Sequence, residues 1–495
     1  MRQHVFGQMS ADRPARQHHN VTLAVLALSG AAYALLQSLV APALPDIQHS
    51  LHTTEGGVTW VLTSYLVSAS VATPILGRLG DIHGKERFML VSVGLLATGT
   101  LLCALAHSLP VMIAGRVVQG AGGGIFPLAF GIIRDEFPRD RVAGGIGLMS
   151  AIMAIGAGAG IVLSGVIVDN LDYHFLFWLP LVVIVGATIL TWRFVPESPV
   201  KAPGSVNWLG ATLLSIGLTA VLLAVSRATA WGWGDARLLG LVAAGTAVLV
   251  AWVFSELRAR EPLVDMRTMR RRGVWTTNVV ALLVGFGMYA SFILIPQFVE
   301  QPHRTGYGFA ATVTQAGLYM LPSTMTMLVV GWLAGHLHRR FGSKPPLMAG
   351  CGFAGASFVL FAAAHAHPGE VYVASALLGV GIGLAFAALP NLIVEAVPAD
   401  QTGVATGMNT IMRTIGGALG AVIAATILDS HVSGRTHLPS EAGFTTAFAL
   451  FALVLAGAIV VSTAIPARGH RGMSPDQPHL EPAQAGRVPS PAHQT

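Results

Sequence analysis

Apolar stretches of membrane-spanning length recur along the chain, each ended by a short polar or charged break; fourteen can be counted between residues 21 and 465. The first covers about 21–44. A helix needs about 20 mostly apolar residues to cross a bilayer's hydrocarbon core, and the periodic breaks supply the turns between crossings. Composition agrees with this, since 53% of residues are hydrophobic and 11% charged. Those charges are too few to cover the surface of a soluble domain. The expected class is an all-α polytopic membrane protein with 14 transmembrane helices, embedded in a lipid bilayer.

A net charge of +6 raises the question of a nucleic-acid partner, and its distribution answers it. With the N-terminus placed in the cytoplasm, the cytoplasmic segments hold 23 of the 29 Lys and Arg. The outer loops hold Arg227, Arg237, Arg304 and Arg435, and Arg116 and Arg413 fall inside apolar stretches. Such a bias orients a membrane protein, here with both termini cytoplasmic. Basicity therefore reports topology, and no nucleic acid is expected. Residues 1–20 carry Arg2, Arg13 and Arg16 without an apolar core, so no cleavable signal peptide is expected. The tail 467–495, rich in Pro, His, Gln and Ser, is expected to be disordered. Cys103 and Cys351 both sit in apolar stretches and read as small packing residues. The excess of Arg over Lys, 26 against 3, fits a GC-rich bacterial genome.

The chain repeats itself. "GLMSAIMAIGAGAG" from Gly147 and "GMNTIMRTIGGALG" from Gly407 align at an offset of 260. "GRLGDIHGK" from Gly77 has an echo in "GHLHRRFGSK" from Gly335, and "GAGGGIFPL" a looser one in "GVGIGLAFAALP". Three echoes in one order point to a duplication pairing spans 1–6 with spans 9–14. Six crossings return the chain to the same side, so the halves are parallel, an arrangement that encloses a midplane site in many carriers. The expected segments are an N-terminal arm (1–20), a six-helix half (21–200), an inserted two-helix hairpin with a basic linker (201–272), a second six-helix half (273–466) and the tail (467–495).

Between spans 2 and 3, "GRLGDIHGKERFM" places Arg78, Asp81, Lys85, Glu86 and Arg87 among three glycines. Gly77, Gly80 and Gly84 allow close helix approach and unusual backbone angles. The basic residues serve the positive-inside rule, to which the acids contribute little. A carboxylate at Asp81 could instead face the positive N-terminal end of span 13, near Gly403, and latch the two halves together.

The same stretch resembles the loop 2–3 signature of the major facilitator superfamily, with Ile82 and Glu86 replacing basic residues. "IAGRVVQGAGGG" (113–124) is similar to the span 4 motif of that superfamily's drug:proton antiporters, with Arg116, Gln119 and Gly120 in place. Fourteen spans arranged 6 + 2 + 6 match the fourteen-helix branch. The resemblance implies a multidrug efflux transporter of the bacterial inner membrane. It would export small amphipathic compounds against proton entry by alternating access. For the gate it implies Asp81, partnered by Arg78 and Arg141, within the turn of Gly77, Gly84 and Lys85. For proton coupling it implies Arg116, which could equally snorkel to an interface. Span 5 keeps Gly156, Gly160 and Gly165 as packing glycines but has Ile161 where the antiporter motif has proline.

Several polar and aromatic residues inside the spans could face a substrate: Tyr33, Gln37, Gln119, Phe126, Asn278, Tyr289, Gln315, Asn391, Asn409 and Arg413. The polar ones could equally bond helix to helix. Antiporters of this branch commonly carry an aspartate in span 1, whereas this chain has Gln37 near that position. Gln cannot change charge, so the expected cavity favours neutral, zwitterionic or anionic compounds. The proton then falls to acids at span ends, Asp46 and Glu300 outside and Asp135, Glu136 and Glu395 inside, with Asp46, Asp135 and Glu136 the first candidates beside Arg116. No Walker-type loop or metal-ligand spacing is present, and no enzyme activity, cofactor or metal is expected. The alternatives are a dedicated exporter of one endogenous metabolite or lipid-like product, and, from another class, a non-transporting receptor or scaffold.

Overall fold

The computed structural model describes residues 19–433 and 438–466. Most of the expected N-terminal arm, the whole expected tail and Arg435 lie outside the described residues. Among the described residues, fourteen helices are long and apolar enough to cross a membrane. They are α1 (His19–Leu39), α2 (Gly57–His83), α3 (Lys85–Ala104), α4 (Leu109–Glu136), α5 (Arg139–Val168), α6 (Phe175–Phe194), α7 (Trp208–Ala228), α8 (Ala236–Arg258), α9 (Arg272–Glu300), α10 (Thr314–Phe341), α11 (Lys344–Ala363), α12 (Pro368–Ala396), α13 (Ala399–Ser430) and α14 (Glu441–Thr463).

Local chemistry sets several of these boundaries. The side chains of Thr54, Asn207, Asp235 and Ser440 accept backbone N–H bonds where apolar runs begin, relieving donors that have no partner within the helix. The first helix ends earlier than the apolar stretch 21–44. Leu39 closes it, and Leu44–Ser50 forms a separate short helix with proline in its first turn. Pro42 and Pro45 are the cause, since each removes a backbone donor and restricts the residue before it. Within α4, "AGGG" tightens into one 3-10 turn, Ala121–Gly124.

The helices alternate in direction. One face of the bundle carries the turns at 84, 137–138, 195–207, 259–271, 342–343 and 397–398. We call it the basic face; Lys85, Lys201, the run Arg270–Arg272 and Lys344 are at or beside these turns.

Two six-helix sets repeat one packing scheme. α1 packs on α5 and α6, and α9 packs on α13 and α14; α2 packs on α4, and α10 on α12. The sets meet where α2 crosses α13 and where α10 crosses α5. Both crossings are glycine contacts. A Cβ on Gly77 would lie 2.7 Å from the Gly403 carbonyl oxygen, and one on Gly335 would lie 2.7 Å from Gly144 Cα. Gly156 and Gly160 pack against α1 as Gly416 and Gly420 pack against α9, and Gly165 is buried. The hairpin α7–α8 rests on α2 and α13 beside the seam. Arg227 stacks 4.9 Å over Trp60, and Trp233 Nε1 donates to Thr426 Oγ1 at 3.0 Å, tying the hairpin to both sets. Outward positions such as Val182, Trp192 and Trp332 are exposed apolar groups, as expected of helices that face lipid.

Candidate functional site

A cavity of about 650 Å³ lies between the two sets, within the usual range for small-molecule sites. Its wall is largely aromatic and apolar, with Tyr33, Tyr65, Phe126, Tyr289, Phe292 and Phe386 facing inward. Tyr33 lies 6.1 Å from Tyr65 and edge-on to Phe126 at 5.9 Å, centroid to centroid. Gln37 Nε2 donates to Tyr289 Oη at 3.0 Å, joining α1 to α9 across the space. The lining continues to Pro42, Pro45 and Glu300, at the ends of α1 and α9 away from the basic face. The cavity therefore opens to the opposite face.

On the basic face the two sets are bolted together. Asp81 is fully buried, and its carboxylate oxygens accept from Gly403 N at 3.2 Å and Val404 N at 3.1 Å. The long helix Thr402–Ser430 receives no side-chain cap from its own N-cap residue, Gln401. A carboxylate from the other set supplies it, at the positive end of the helix dipole. Lys85, which opens α3 just after Gly84, is also fully buried. Its Nζ stands 3.4 Å from Asp81 Oδ1 and 2.8 Å from Asp135 Oδ2. Arg134 grips the same turn from the other side. It donates to Thr402 Oγ1 at 2.6 Å and to the carbonyls of Val397 at 2.9 Å and Pro398 at 3.1 Å. A cation thus meets the carboxyl end of α12 and an anion the amino end of α13, both favoured pairings.

The linker after α6 joins this cluster. Ser198 Oγ donates to Asp135 Oδ2 at 2.5 Å, Lys85 Nζ to the Val200 carbonyl at 3.4 Å, and Ala202 N to the Asp81 carbonyl at 2.6 Å. Gly84 has φ +121°, and the Glu197 carboxylate fills the place of its missing Cβ. Further along, Ser205 donates twice to Glu261 and holds that carboxyl below the usual carboxylate range, with Arg78 adding to the pull.

The family model described as Major Facilitator Superfamily matches residues 26–421. The chain belongs to the Major Facilitator Superfamily. This member is 28% identical over 388 residues to the tetracenomycin C resistance and export protein of Streptomyces glaucescens, covering 78% of this chain and 71% of that one. It is 28% identical over 371 residues to the multidrug resistance protein Stp of Mycobacterium tuberculosis, covering 74% and 68%. To the multidrug transporter protein MdtP of Bacillus subtilis it is 26% identical over 380 residues, covering 75% and 68%. The crystal structure of the human organic anion transporter MFSD10 (TETRAN) superposes with a TM-score of 0.64 at 15% identity, covering 91% of this chain and 100% of that one. That likeness concerns the fold. As a member of this superfamily, the protein is a multi-pass membrane transporter for a small-molecule substrate and not an enzyme.

The transporter's other sequence-derived residues divide by position. Tyr33, Gln37, Phe126, Tyr289 and Arg413 line the cavity; Gln119, Gln315, Asn391 and Asn409 are not among its lining residues. Gln119 accepts from Arg116 Nη1 and donates to Thr100 at 2.8 Å, inside the first set. Gln315 is the N3 residue of a capping box with Thr312; the T-x-x-Q spacing carried that signal. Asn391 donates to Ala143 and Ala387 carbonyls, and Asn409 to Asn278 Oδ1, as bonds between or along helices. Arg116 is fully buried, donates through Nε to the Val61 carbonyl at 3.0 Å and stacks 4.2 Å over Tyr65. It reaches the cavity through that ring and does not snorkel.

Two expected partnerships need correction. Asp81 is met by Lys85, the first residue of α3 after the Gly84 break, rather than by Arg78 or Arg141. Arg141 is exposed, and the buried Arg78 Nε has no hydrogen-bond partner. Of the acids proposed for proton traffic, Asp46 is exposed on the short helix past α1, Glu136 is half-buried at the basic face, and Asp135 pairs with Lys85. Sequence reasoning did not find Arg134, Tyr65 or Phe386. Phe386 was within reach, since it sits 260 positions after Phe126.

The Gly77 crossing yields a direct test. In Gly77→Val a side chain must occupy space held by the Gly403 backbone, 2.7 Å from the added Cβ. Backbone cannot step aside as a flexible side chain can. The variant is expected to insert in the membrane yet lose most transport, because the basic face cannot shut. Uptake or efflux at wild-type rate would show that the crossing is not part of closure.

Proposed function

We propose that this transporter exports small amphipathic compounds from a bacterial cytoplasm across the inner membrane, by alternating access and in exchange for protons. The observation that carries the reading is a cavity open at one face while the Asp81 and Arg134 contacts shut the other. The basic face is the cytoplasmic one under the positive-inside rule, which places both termini inside and makes this the outward-open state. Asp81, Lys85, Asp135 and Arg134 form the gate that breaks when the cytoplasmic side opens. Relatives named for multidrug resistance and for tetracenomycin C export support the direction of transport. For the proton, Glu300 is the acid that lines the cavity among the described residues, and it is the first one met from outside. Arg116 takes part in coupling through Tyr65, whose ring it holds on the wall.

A proton falling through 100 mV releases roughly 2.3 kcal/mol, enough for tens-fold accumulation per proton. The test uses everted vesicles containing the full chain, with an acid interior and a fluorescent amphipath outside. Accumulation should depend on the pH gradient, substrate should provoke proton release, and a protonophore should abolish both. Accumulation that survives the protonophore would refute proton exchange.

A further inference from the structure

The floor of the cavity carries a guanidinium with no acid to answer it. Arg413 lines the cavity and is only 4% exposed. Its Nη2 donates to Met153 Sδ at 3.3 Å, and its Cζ stands 4.4 Å over the Phe386 ring. No carboxylate salt-bridges it among the described residues. The acid lining the same cavity, Glu300, is remote. A Cβ on Gly285 would touch the Arg413 backbone, so Arg413 lies level with Gly285, and fifteen residues of helix to Glu300 span about 22 Å. Arg116, behind Tyr65, likewise has no ion-pair partner among the described residues, and its Nη2 makes no hydrogen bond. Two guanidinium groups without a carboxylate partner, set among apolar and aromatic walls, leave a positive field at this end of the cavity.

The duplication shows where that charge was placed. Met153 and Arg413 occupy matching positions of the two repeats, 260 residues apart, and so do Phe126 and Phe386. Met153 and Arg413 touch, so the pseudo-two-fold axis passes between them. One repeat puts a neutral thioether on the axis and the other a fixed cation, at a point that cargo passes whichever face is open.

We infer that the cavity is an anion site, in which Arg413 binds the ionised acid group of an aromatic amphipath while Tyr33, Tyr65, Phe126, Tyr289 and Phe292 enclose its rings. The guanidinium fork suits a sulfonate or carboxylate, and Gln37 offers a neutral hydrogen-bonding group nearby. The inference deepens the export reading and rests on it only for the direction of movement.

The test pairs two probes with the same rings, anilinonaphthalene sulfonate and the uncharged phenyl naphthylamine. Binding to the purified full chain is followed by energy transfer from tryptophan, and exchange is measured by counterflow in proteoliposomes. Wild type should bind the sulfonate at least about tenfold more tightly than the neutral probe, as one charged hydrogen-bonded contact allows. Arg413→Gln should weaken sulfonate binding by about tenfold and change neutral binding by less than about twofold, and Arg413→Lys should recover much of the loss. Equal affinity of wild type for both probes, or equal weakening of both in Arg413→Gln, would overturn the site. If Arg413→Gln does not fold, the affinity ratio in wild type decides. Arg413-dependent binding without counterflow would keep the anion site and remove the export reading. Counterflow of both probes indifferent to Arg413 would do the reverse.

Discussion

Replacing Asp81 with asparagine is expected to reduce transport at least tenfold, to about a tenth or less of wild type, while the protein still inserts and folds. Asp81 caps α13 through two backbone donors, at 3.2 and 3.1 Å, and pairs with Lys85 at 3.4 Å. Hydrogen bonds to a charged group contribute about 1.5–3 kcal/mol each. Asparagine keeps one acceptor and loses the charge, so the closed basic face is weakened by about 3 kcal/mol, a shift of roughly a hundredfold in the balance of states. The buried partners survive, because Lys85 retains Asp135 at 2.8 Å. The direct measurement is the reactivity of a cysteine introduced at Thr410, on the cavity wall, toward a reagent applied from the cytoplasmic side. It should rise in Asp81→Asn. Wild-type transport together with unchanged reactivity would remove Asp81 from the gate.

Lys85→Gln is expected to fail differently, at the level of stability. Its ammonium pairs with two carboxylates that are 0% and 1% exposed, Asp81 and Asp135. Removing one partner of a buried ion pair costs about 3–5 kcal/mol, because the other charge stays buried and unanswered. Two carboxylates are stranded here, and Asp135 Oδ1 already has no hydrogen-bond partner. Little folded protein should accumulate, and what does should melt well below wild type in detergent. Adding Asp135→Asn removes one stranded charge and is expected to recover a substantial part of that loss. A Lys85→Gln protein with wild-type melting would mean that these groups are neutral or solvated and that the cluster is not an ion-pair network.

The Asp81 contact shows how far sequence can reach. The positive-inside rule accounts for the bases in the loop and leaves the acid unexplained. A free helix amino end on the same side supplies a reason for it, and that end gets no side-chain cap from its own N-cap residue, Gln401. The partner cations were not legible in the same way. Arg78, Lys85, Arg134 and Arg141 all lie near the same face in sequence terms, and choosing among them requires knowing how α2, α3, α4 and α5 are rotated about their axes. Apolar helices give little sign of that rotation, since lipid and protein interior are both apolar. The same ambiguity put Gln119 and Asn409 in the cavity by expectation and inside helix contacts by structure.

What the sequence by itself determined is therefore the set of helices, their order and their duplication. Apolar length, breaking residues and a repeat at an offset of 260 are properties of the chain alone, and bilayer thickness converts the first into crossings. The cavity was decided only by tertiary structure. Arg413 and Met153 meet across 260 residues, and Gln37 meets Tyr289 across 252. Such contacts depend on where the two repeats face one another, which local propensity does not encode. The sidedness of the opening has the same origin. The chain carries both the latch and the aromatic wall, but only the packed bundle brings the latch together at one end and leaves the wall open at the other.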